Sequence, residues 1–184
     1  MLITFIRHSK TKFNKDISSL LWQLADEGIA LAEELSNRSE IKDIDVLYTS
    51  QQTKALQTTL ILAKDNHIPI KTEPELTELT SITNGYIEDY EGEILKLFSG
   101  KIDRINKGES IEEGKKRINN TLKDIKAKEK HCKNIGIVSH CMILSIFASQ
   151  YIEKNWYEIH QRMQMPDLAI FDWDNKKFLK FFKL

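Results

Sequence analysis

The chain has little of what would make a function class obvious at a glance. Of its 184 residues only two are cysteine, Cys132 and Cys141, three are proline and seven are glycine. Two cysteines cannot staple a small secreted scaffold and point instead to a reducing interior. So few prolines and glycines exclude a collagen-like repeat or a low-complexity linker. Charge of one sign is not in excess either. The 27 lysines and arginines meet 27 aspartates and glutamates, so no global field recruits nucleic acid or an anionic membrane. Any affinity for anions has to be local. No run of about 20 apolar residues is present to span a bilayer. The opening run Met1–Ile6 has no basic leader and no small-residue cleavage site, and so does not read as a signal peptide. A cytoplasmic protein that binds neither nucleic acid nor membrane is the expectation.

What is present is ordinary globular material. A hydrophobic fraction of 41% with 29% charged residues suits a folded domain, and the length fits a single domain over residues 1–184 with a core of its own. The informative stretch is the first one. Met1-Leu2-Ile3-Thr4-Phe5-Ile6 is a short apolar run that stops at Arg7-His8, as a buried central strand does when it delivers polar side chains to the carboxyl edge of a sheet. That edge is where open α/β sheets bind ligands. A guanidinium beside an imidazole, followed by Ser9, Thr11 and Asn14, makes a turn suited to a phosphate. Far downstream Ile135-Gly136-Ile137-Val138-Ser139 repeats the pattern and also ends on a histidine, His140. If the two runs are neighbours in a parallel sheet, both imidazoles reach one rim.

Between these runs the periodicity alternates. Leu20, Leu21, Leu24, Ile29, Leu31, Ala32 and Leu35 have helical spacing, with Ser18 or Ser19 as a cap, and Gly28 suggests a turn leading into a helix that starts near Asp26. Ile44–Thr49 reads as a strand, 53–65 as a helix, and His67–Lys71 as a short strand kept from the sheet centre by Pro69. Residues 73–78 read as extended or irregular. From 79 to 100 the pattern weakens around Asn84-Gly85 and an acidic patch of Glu88, Asp89, Glu91 and Glu93, and this segment is a candidate lid or insertion. Ser110-Ile111-Glu112-Glu113 has capping-box spacing ahead of a helix through Lys126. The His140 turn opens another helix, residues 155–165 suggest a loop with partial helix, and 168–173 with 177–184 form a hairpin about Asp174-Asn175. The fold expected is α/β, a single-domain three-layer sandwich with a mostly parallel central sheet, helices on both faces and a C-terminal edge hairpin.

With both histidine turns placed, the chain resembles the histidine phosphatase superfamily, with its phosphoglycerate-mutase-like fold. Residues 7–14, Arg-His-Ser-Lys-Thr-Lys-Phe-Asn, match Arg-His-Gly-x-Thr/Ser-x-x-Asn, and Leu24–Ala32 with Gly28 is similar to Leu-Thr-x-x-Gly-x-x-Gln-Ala. Thr49–Thr58 is similar to Ser-Pro-x-x-Arg-Ala-x-Gln-Thr, Gly108-Glu109-Ser110 with Arg117 to Gly-Glu-Ser ahead of an Arg-bearing helix, and Val138-Ser139-His140-Cys141 to Val-Ser-His-Gly. The resemblance covers most of the chain. It implies a metal-independent phosphomonoester hydrolase with no cofactor, acting on a small phosphorylated substrate. His8 would be the nucleophile, Arg7 and His140 would hold the phosphoryl oxygens, and Thr11, Asn14, Lys54 and Cys141 would line the substrate site. Glu78, in Leu76-Thr77-Glu78, would be the proton donor, with Glu75 and Glu88 as alternatives.

Three positions depart from the family pattern. Ser9 and Cys141 stand where it has glycine, and Lys54 replaces an arginine, exchanging a planar fork for a point charge. They motivate a different reading, a phosphate-ligand or protein-binding module that has lost turnover. The short chain sets a mutase behind a phosphatase, because a mutase must exclude water while its substrate reorients. Cys141 reads as a small buried hydrophobe rather than a thiol nucleophile, and His131-Cys132 lacks the second ligand pair a metal would need. His67 and His160 read as surface or turn residues, the C-terminal aromatics as packing, and Trp156 or Tyr157 as possible borders of the substrate pocket.

Overall fold

A computed structural model of the chain describes residues 1–79, 87–106 and 108–183. The described strands are β1 (Leu2–Arg7), β2 (Val46–Thr49), β3 (Ile70–Thr72), β4 (Asn134–Ser139), β5 (Asp167–Asp172) and β6 (Lys177–Lys180). They form one sheet in the order β3-β2-β4-β1-β5-β6. β3, β2, β4 and β1 are mutually parallel, while β5 runs antiparallel to β1 and β6 antiparallel to β5. The first and fourth strands are therefore direct neighbours, paired from Leu2 with Asn134 to Arg7 with Ser139.

Alternation along the central strands feeds two cores. Ile3, Phe5, Ile135 and Ile137 point to one face, where they meet Ile118, Leu122 and Ile125 of α5 (Ile111–Lys128) and Ile143, Leu144 and Phe147 of α6 (Cys141–Ala148). Ile6, Leu47 and Val138 point to the other, against Leu35 of α1 (Asp26–Ser36) and Ala55 and Leu62 of α3 (Thr53–Lys64). Each strand buried on both faces reads as a near-continuous apolar run for this reason. The result is the three-layer arrangement anticipated, with β5 and β6 as the C-terminal hairpin on the β1 side. Phe171, Trp173, Phe178 and Phe182 extend the first core there.

Capping fixes the long helix. Ser110 Oγ accepts the Glu113 N–H at 3.2 Å, and the Glu113 carboxylate accepts the Ser110 N–H at 2.8 Å. This is the reciprocal pair that the spacing of these residues suggested. The region around Gly28 likewise resolves into a 3-10 turn at Ser19–Leu21 capped by Ser18, then α1 from Asp26.

Several elements depart from the sequence-based expectation. The short α2 (Ser39–Lys42) had no periodic signal to announce it. Residues 90–98, inside the candidate lid or insertion at 79–100, form a regular helix, α4 (Tyr90–Phe98). The carboxylates there belong to its start. Asp89 caps the Gly92 N–H at 3.0 Å, and Glu91 and Glu93 lie in the first turn, where the helix dipole favours negative charge. Only Ile94 and Leu97 of α4 are buried, against Ile105 and Met142. The Asn84-Gly85 turn lies outside the described residues. β3 begins only at Ile70, after Pro69, residues 74–76 form a 3-10 turn, α7 (Trp156–Arg162) is a short helix, and β6 stops at Lys180. Among the described residues no helix is long and apolar enough to cross a membrane.

Phe147 lies at the centre of the larger core, 1% exposed, with ring centroids 4.8 Å from Phe5 and 5.3 Å from Phe171. Phe147→Ala is expected to lower unfolding free energy by about 3–5 kcal/mol, measured by urea titration.

Candidate active site

Because β1 and β4 are parallel and in register, the chain leaves the sheet from both at the same level. His8 follows Arg7 and donates its N–H to the Ser139 carbonyl at 3.0 Å, while Ser50, after β2, donates its N–H to Val138 at 3.1 Å. His8, Ser50 and His140 thus stand side by side at the carboxyl edge. The two imidazole centroids are 5.1 Å apart.

Each ring is oriented by its neighbours. The Nδ1 of His8 is 2.8 Å from its neighbour's carbonyl, Ser9 O. A carbonyl can only accept, so Nδ1 carries the hydrogen and Nε2 keeps its lone pair. His140 Nε2 is 2.9 Å from Ser50 Oγ, which already accepts the Gln52 N–H at 3.3 Å and so has its own proton free to give. With Ser50 Oγ giving that proton to Nε2, His140 carries its own hydrogen on Nδ1. That nitrogen is buried and without a partner among the described residues, as is Arg7 Nε. Two buried donors left without acceptors mark a place where an acceptor-rich ligand belongs.

The cations come from separate elements. Arg7 at the end of β1 is held by Met163 and Gln164, whose carbonyls accept from Nη1. Lys54, in the first turn of α3, is 8% exposed and donates to the Ser19 carbonyl at 3.1 Å. Burial and then the Lys54 and Arg7 charges lower His8 to about 3, against a lesser opposing effect of the bond to Ser9 O. Burial, His8, Lys54 and Arg7 push His140 down as well, and burial lowers Lys54. Both imidazoles are neutral in the free protein at neutral pH.

Glu78 is tied to the same edge. Its carboxylate accepts the N–H groups of Met142 at 3.0 Å and Ile143 at 2.9 Å, in the first turn of α6, and that of Leu79 at 2.9 Å. The segment that carries it is clamped from α5 by Arg117. The guanidinium is largely buried and uses all five N–H groups. Two go to the Glu109 carboxylate at 2.8 and 2.7 Å, and three to the carbonyls of Glu75, Thr77 and Glu78. Ser139 Oγ adds a bond to the Leu76 carbonyl at 2.7 Å.

Arg7, His8, Thr11, Lys54, Glu78, Glu88, His140 and Cys141 all line one cavity of about 870 Å³. Asn14 does not. It is exposed, and its side-chain oxygen turns back to accept the Asp16 N–H at 2.9 Å. Glu75 is also exposed and outside the cavity. Trp156 and Tyr157 do not border the cavity. They pack on Phe98, with Tyr157 stacked at 4.6 Å, and so brace α7 on α4. His160, read as a surface or turn residue, is half-buried in the cavity wall, beside the buried Ile159 of α7. Trp22, Gln52 and Tyr90 also line it. Sequence reasoning missed these three, and only Gln52, inside a quoted motif, carried a usable signal.

Two substituted positions find local reasons. Ser9 Oγ donates to the Gly28 carbonyl at 2.7 Å, and its N–H goes to Thr58 Oγ1 at 3.0 Å. Gly28 is required where α1 meets this loop, since a Cβ there would lie 2.1 Å from the Lys10 carbonyl oxygen. Cys141 is buried, its thiol pushed up to about 12 by burial, which leaves no thiolate for nucleophilic work. No group of three His, Cys, Asp or Glu among the described residues could hold a metal ion.

The family model for the histidine phosphatase superfamily (branch 1) matches residues 3–180. The chain belongs to that superfamily. No curated protein matches the sequence. Among solved structures, Bacillus stearothermophilus YhfR superposes with a TM-score of 0.79 at 19% identity, covering 99% of this chain and 96% of that one. A putative alpha-ribazole-5'-P phosphatase from Escherichia coli gives 0.75 at 22%, over 100% and 96%. A phosphoserine phosphatase from Entamoeba histolytica, in complex with phosphoserine, gives 0.72 at 21%, over 99% and 96%. These neighbours establish a shared fold.

Histidines held below their ordinary value of 6.5 bind fewer protons folded than unfolded. Stability therefore falls as pH drops below about 6.5, and for His8 the loss ends near pH 3, where the folded ring also protonates. Urea midpoints measured between pH 7.5 and 5 are expected to decline, and less steeply in His8→Gln.

Proposed function

We propose that this chain is a phosphomonoester hydrolase that works through a phosphohistidine on a small phosphorylated substrate. The observation that carries the reading is the convergence on one cavity of a His8 Nε2 lone pair, two cations and two unpartnered buried donors.

In the first step His8 Nε2 attacks phosphorus, the bond from phosphorus to the ester oxygen breaks, and Glu78 gives that oxygen its proton. Arg7, Lys54 and the His140 Nδ1–H take the equatorial oxygens, stabilising charge where it develops. In the second, water attacks the phosphohistidine, Glu78 takes its proton, and phosphate leaves with the P–N bond broken. Splitting one hard displacement into two is what a covalent nucleophile contributes. Cavity-lining Glu78, rather than exposed Glu75, is the donor best supported by position, and its bonds to α6 fix it within reach of the site. Arg117 is the positioning residue behind it. Thr11 lines the same cavity, whereas the orientation of Asn14 gives no support to a role for it. The hydrogen bonds of Ser9 to the Gly28 carbonyl and of Lys54 to the Ser19 carbonyl support a site that tolerates both substitutions.

Hydrolysis of p-nitrophenyl phosphate in the presence of chelator is the direct test, and His8→Ala is expected to abolish it. Inactivity of the wild-type chain across several phosphomonoesters with retained phosphate binding would favour the module. Glu78→Gln is expected to lower kcat about 10²–10⁴-fold on alkyl phosphates and much less on the aryl ester, whose leaving group departs without a proton. Arg117→Lys should shift the alkyl-to-aryl ratio in the same direction. An unchanged ratio in both variants would remove Glu78 from the role of acid.

A further inference from the structure

The cavity extends well beyond what one phosphoryl group fills, into the range of about 300–1,000 Å³ typical of sites for whole small molecules. Its lining is divided by charge. Arg7 and Lys54 are the only lysine or arginine among the described lining residues, and both stand at the phosphoryl end with His8 and His140. Elsewhere the charged lining groups are the exposed carboxylates Glu88, Asp89 and Glu91, at and just before the start of α4. Among the described lining residues, a second anionic group on the substrate would meet these carboxylates and no cation beyond Arg7 and Lys54.

The remaining described wall combines uncharged polar groups, Thr11, Ser19, Gln52 and Thr77 among them, with a set of apolar side chains. Phe13, Leu20 and Trp22 line it from the loop after β1 and the 3-10 turn, and Ile87, Tyr90 and Met163 contribute from elsewhere. The Trp22 ring adjoins the phosphate end directly, with Lys54 Nζ 5.5 Å from its centroid. Phe13 stands edge-on to it at 5.2 Å and is 56% exposed, a large aromatic surface held open toward solvent. The indole therefore lies beside one of the two cations of the cavity. Aromatic walls of this kind favour apolar rings, which gain burial and ring contacts together.

We propose that the phosphomonoester taken by this site has an uncharged, largely apolar alcohol wide enough to lie on Trp22, and that esters bearing a second anionic group are disfavoured by Glu88, Asp89 and Glu91. The inference rests on the phosphatase reading and narrows it to a substrate class. Selectivity of this form combines an attractive wall with a repulsive rim.

Three primary alkyl phosphates separate the terms without a large difference in leaving group: 2-phenylethyl phosphate, glycerol 1-phosphate and 3-phosphoglycerate, the last differing from the second by a carboxylate. For the wild-type chain kcat/KM is expected to fall in that order, by about tenfold or more at each step at low salt. Trp22→Ala should lower turnover of the phenylethyl ester more than that of glycerol 1-phosphate. The double variant Glu88→Lys/Glu91→Lys, changed only at exposed positions, should narrow the gap between glycerol 1-phosphate and 3-phosphoglycerate by about 3–10-fold. That narrowing should shrink in 0.5 M salt, where exposed charges are screened. Equal or better use of 3-phosphoglycerate, or no advantage for the phenylethyl ester, would overturn the proposal while leaving the phosphatase reading intact. Should no ester, p-nitrophenyl phosphate included, be hydrolysed, the phosphatase reading fails. Calorimetric affinities of the same three esters then decide the substrate class on their own, the same order supporting it and any other refuting it.

Discussion

The parallel pairing of the first strand with the fourth is the constraint on which everything else depends. Leu2 to Arg7 lie beside Asn134 to Ser139 without a register break, so the main chains leave the sheet together and the residues that follow are neighbours. Because strand side chains alternate, a slip of one residue would turn Ile3 and Phe5 out of one core and Ile6 into it. The packing that makes such a slip costly is the same packing that sets two imidazole centroids 5.1 Å apart. Stability and site geometry are enforced here by one set of apolar contacts.

A second tier of structure converts that edge into a pocket. Segment 75–78 crosses the site without a regular element of its own, apart from one 3-10 turn, so its shape has to be imposed from outside. Arg117 does this from α5 through three carbonyls, and the Glu109 carboxylate compensates the guanidinium in a largely buried setting. A planar five-donor fork is suited to such a clamp, since a lysine ammonium would serve fewer acceptors and from a single point. The Glu78 carboxylate in turn accepts from the first turn of α6, the helix that His140 begins. The segment carrying the proposed acid and the helix start beside the second histidine are thereby locked to each other.

The sheet, its helical layers and the histidine rim were legible because they arise from periodicity, and strand ends marked by Arg7-His8 and Ser139-His140 are strong local signals. The capping box at Ser110 was equally plain. What escaped the sequence had a common cause. α4 is only nine residues long, and its acidic start looked like a local charge patch rather than the first turn of a helix. His160 lies on a seven-residue helix, too short for its inward side to be told from its outward side. Asn14 occupied the right place in a motif, but an exposed asparagine two residues ahead of a free N–H satisfies that donor locally, and the motif cannot foretell the choice. Trp22 and Tyr90 reach the cavity from elements distant in sequence, and no local pattern encodes such a meeting.

Net neutrality of the chain acquires a meaning once charges are placed. Balanced totals conceal a cavity whose described lining carries two buried or half-buried cations, Arg7 and Lys54, together with the carboxylates Glu78, Glu88, Asp89 and Glu91. Burial first, and then the Lys54 and Arg7 charges, hold His8 below its ordinary value. On the proposed function, a phosphoryl group would supply negative charge and acceptors for Arg7 Nε and His140 Nδ1, whereas discrimination among phosphate esters would come from the walls. The two tasks are divided between different residues, so the phosphoryl end can remain constant while the wall around Trp22 and α4 determines what is attached to the phosphate.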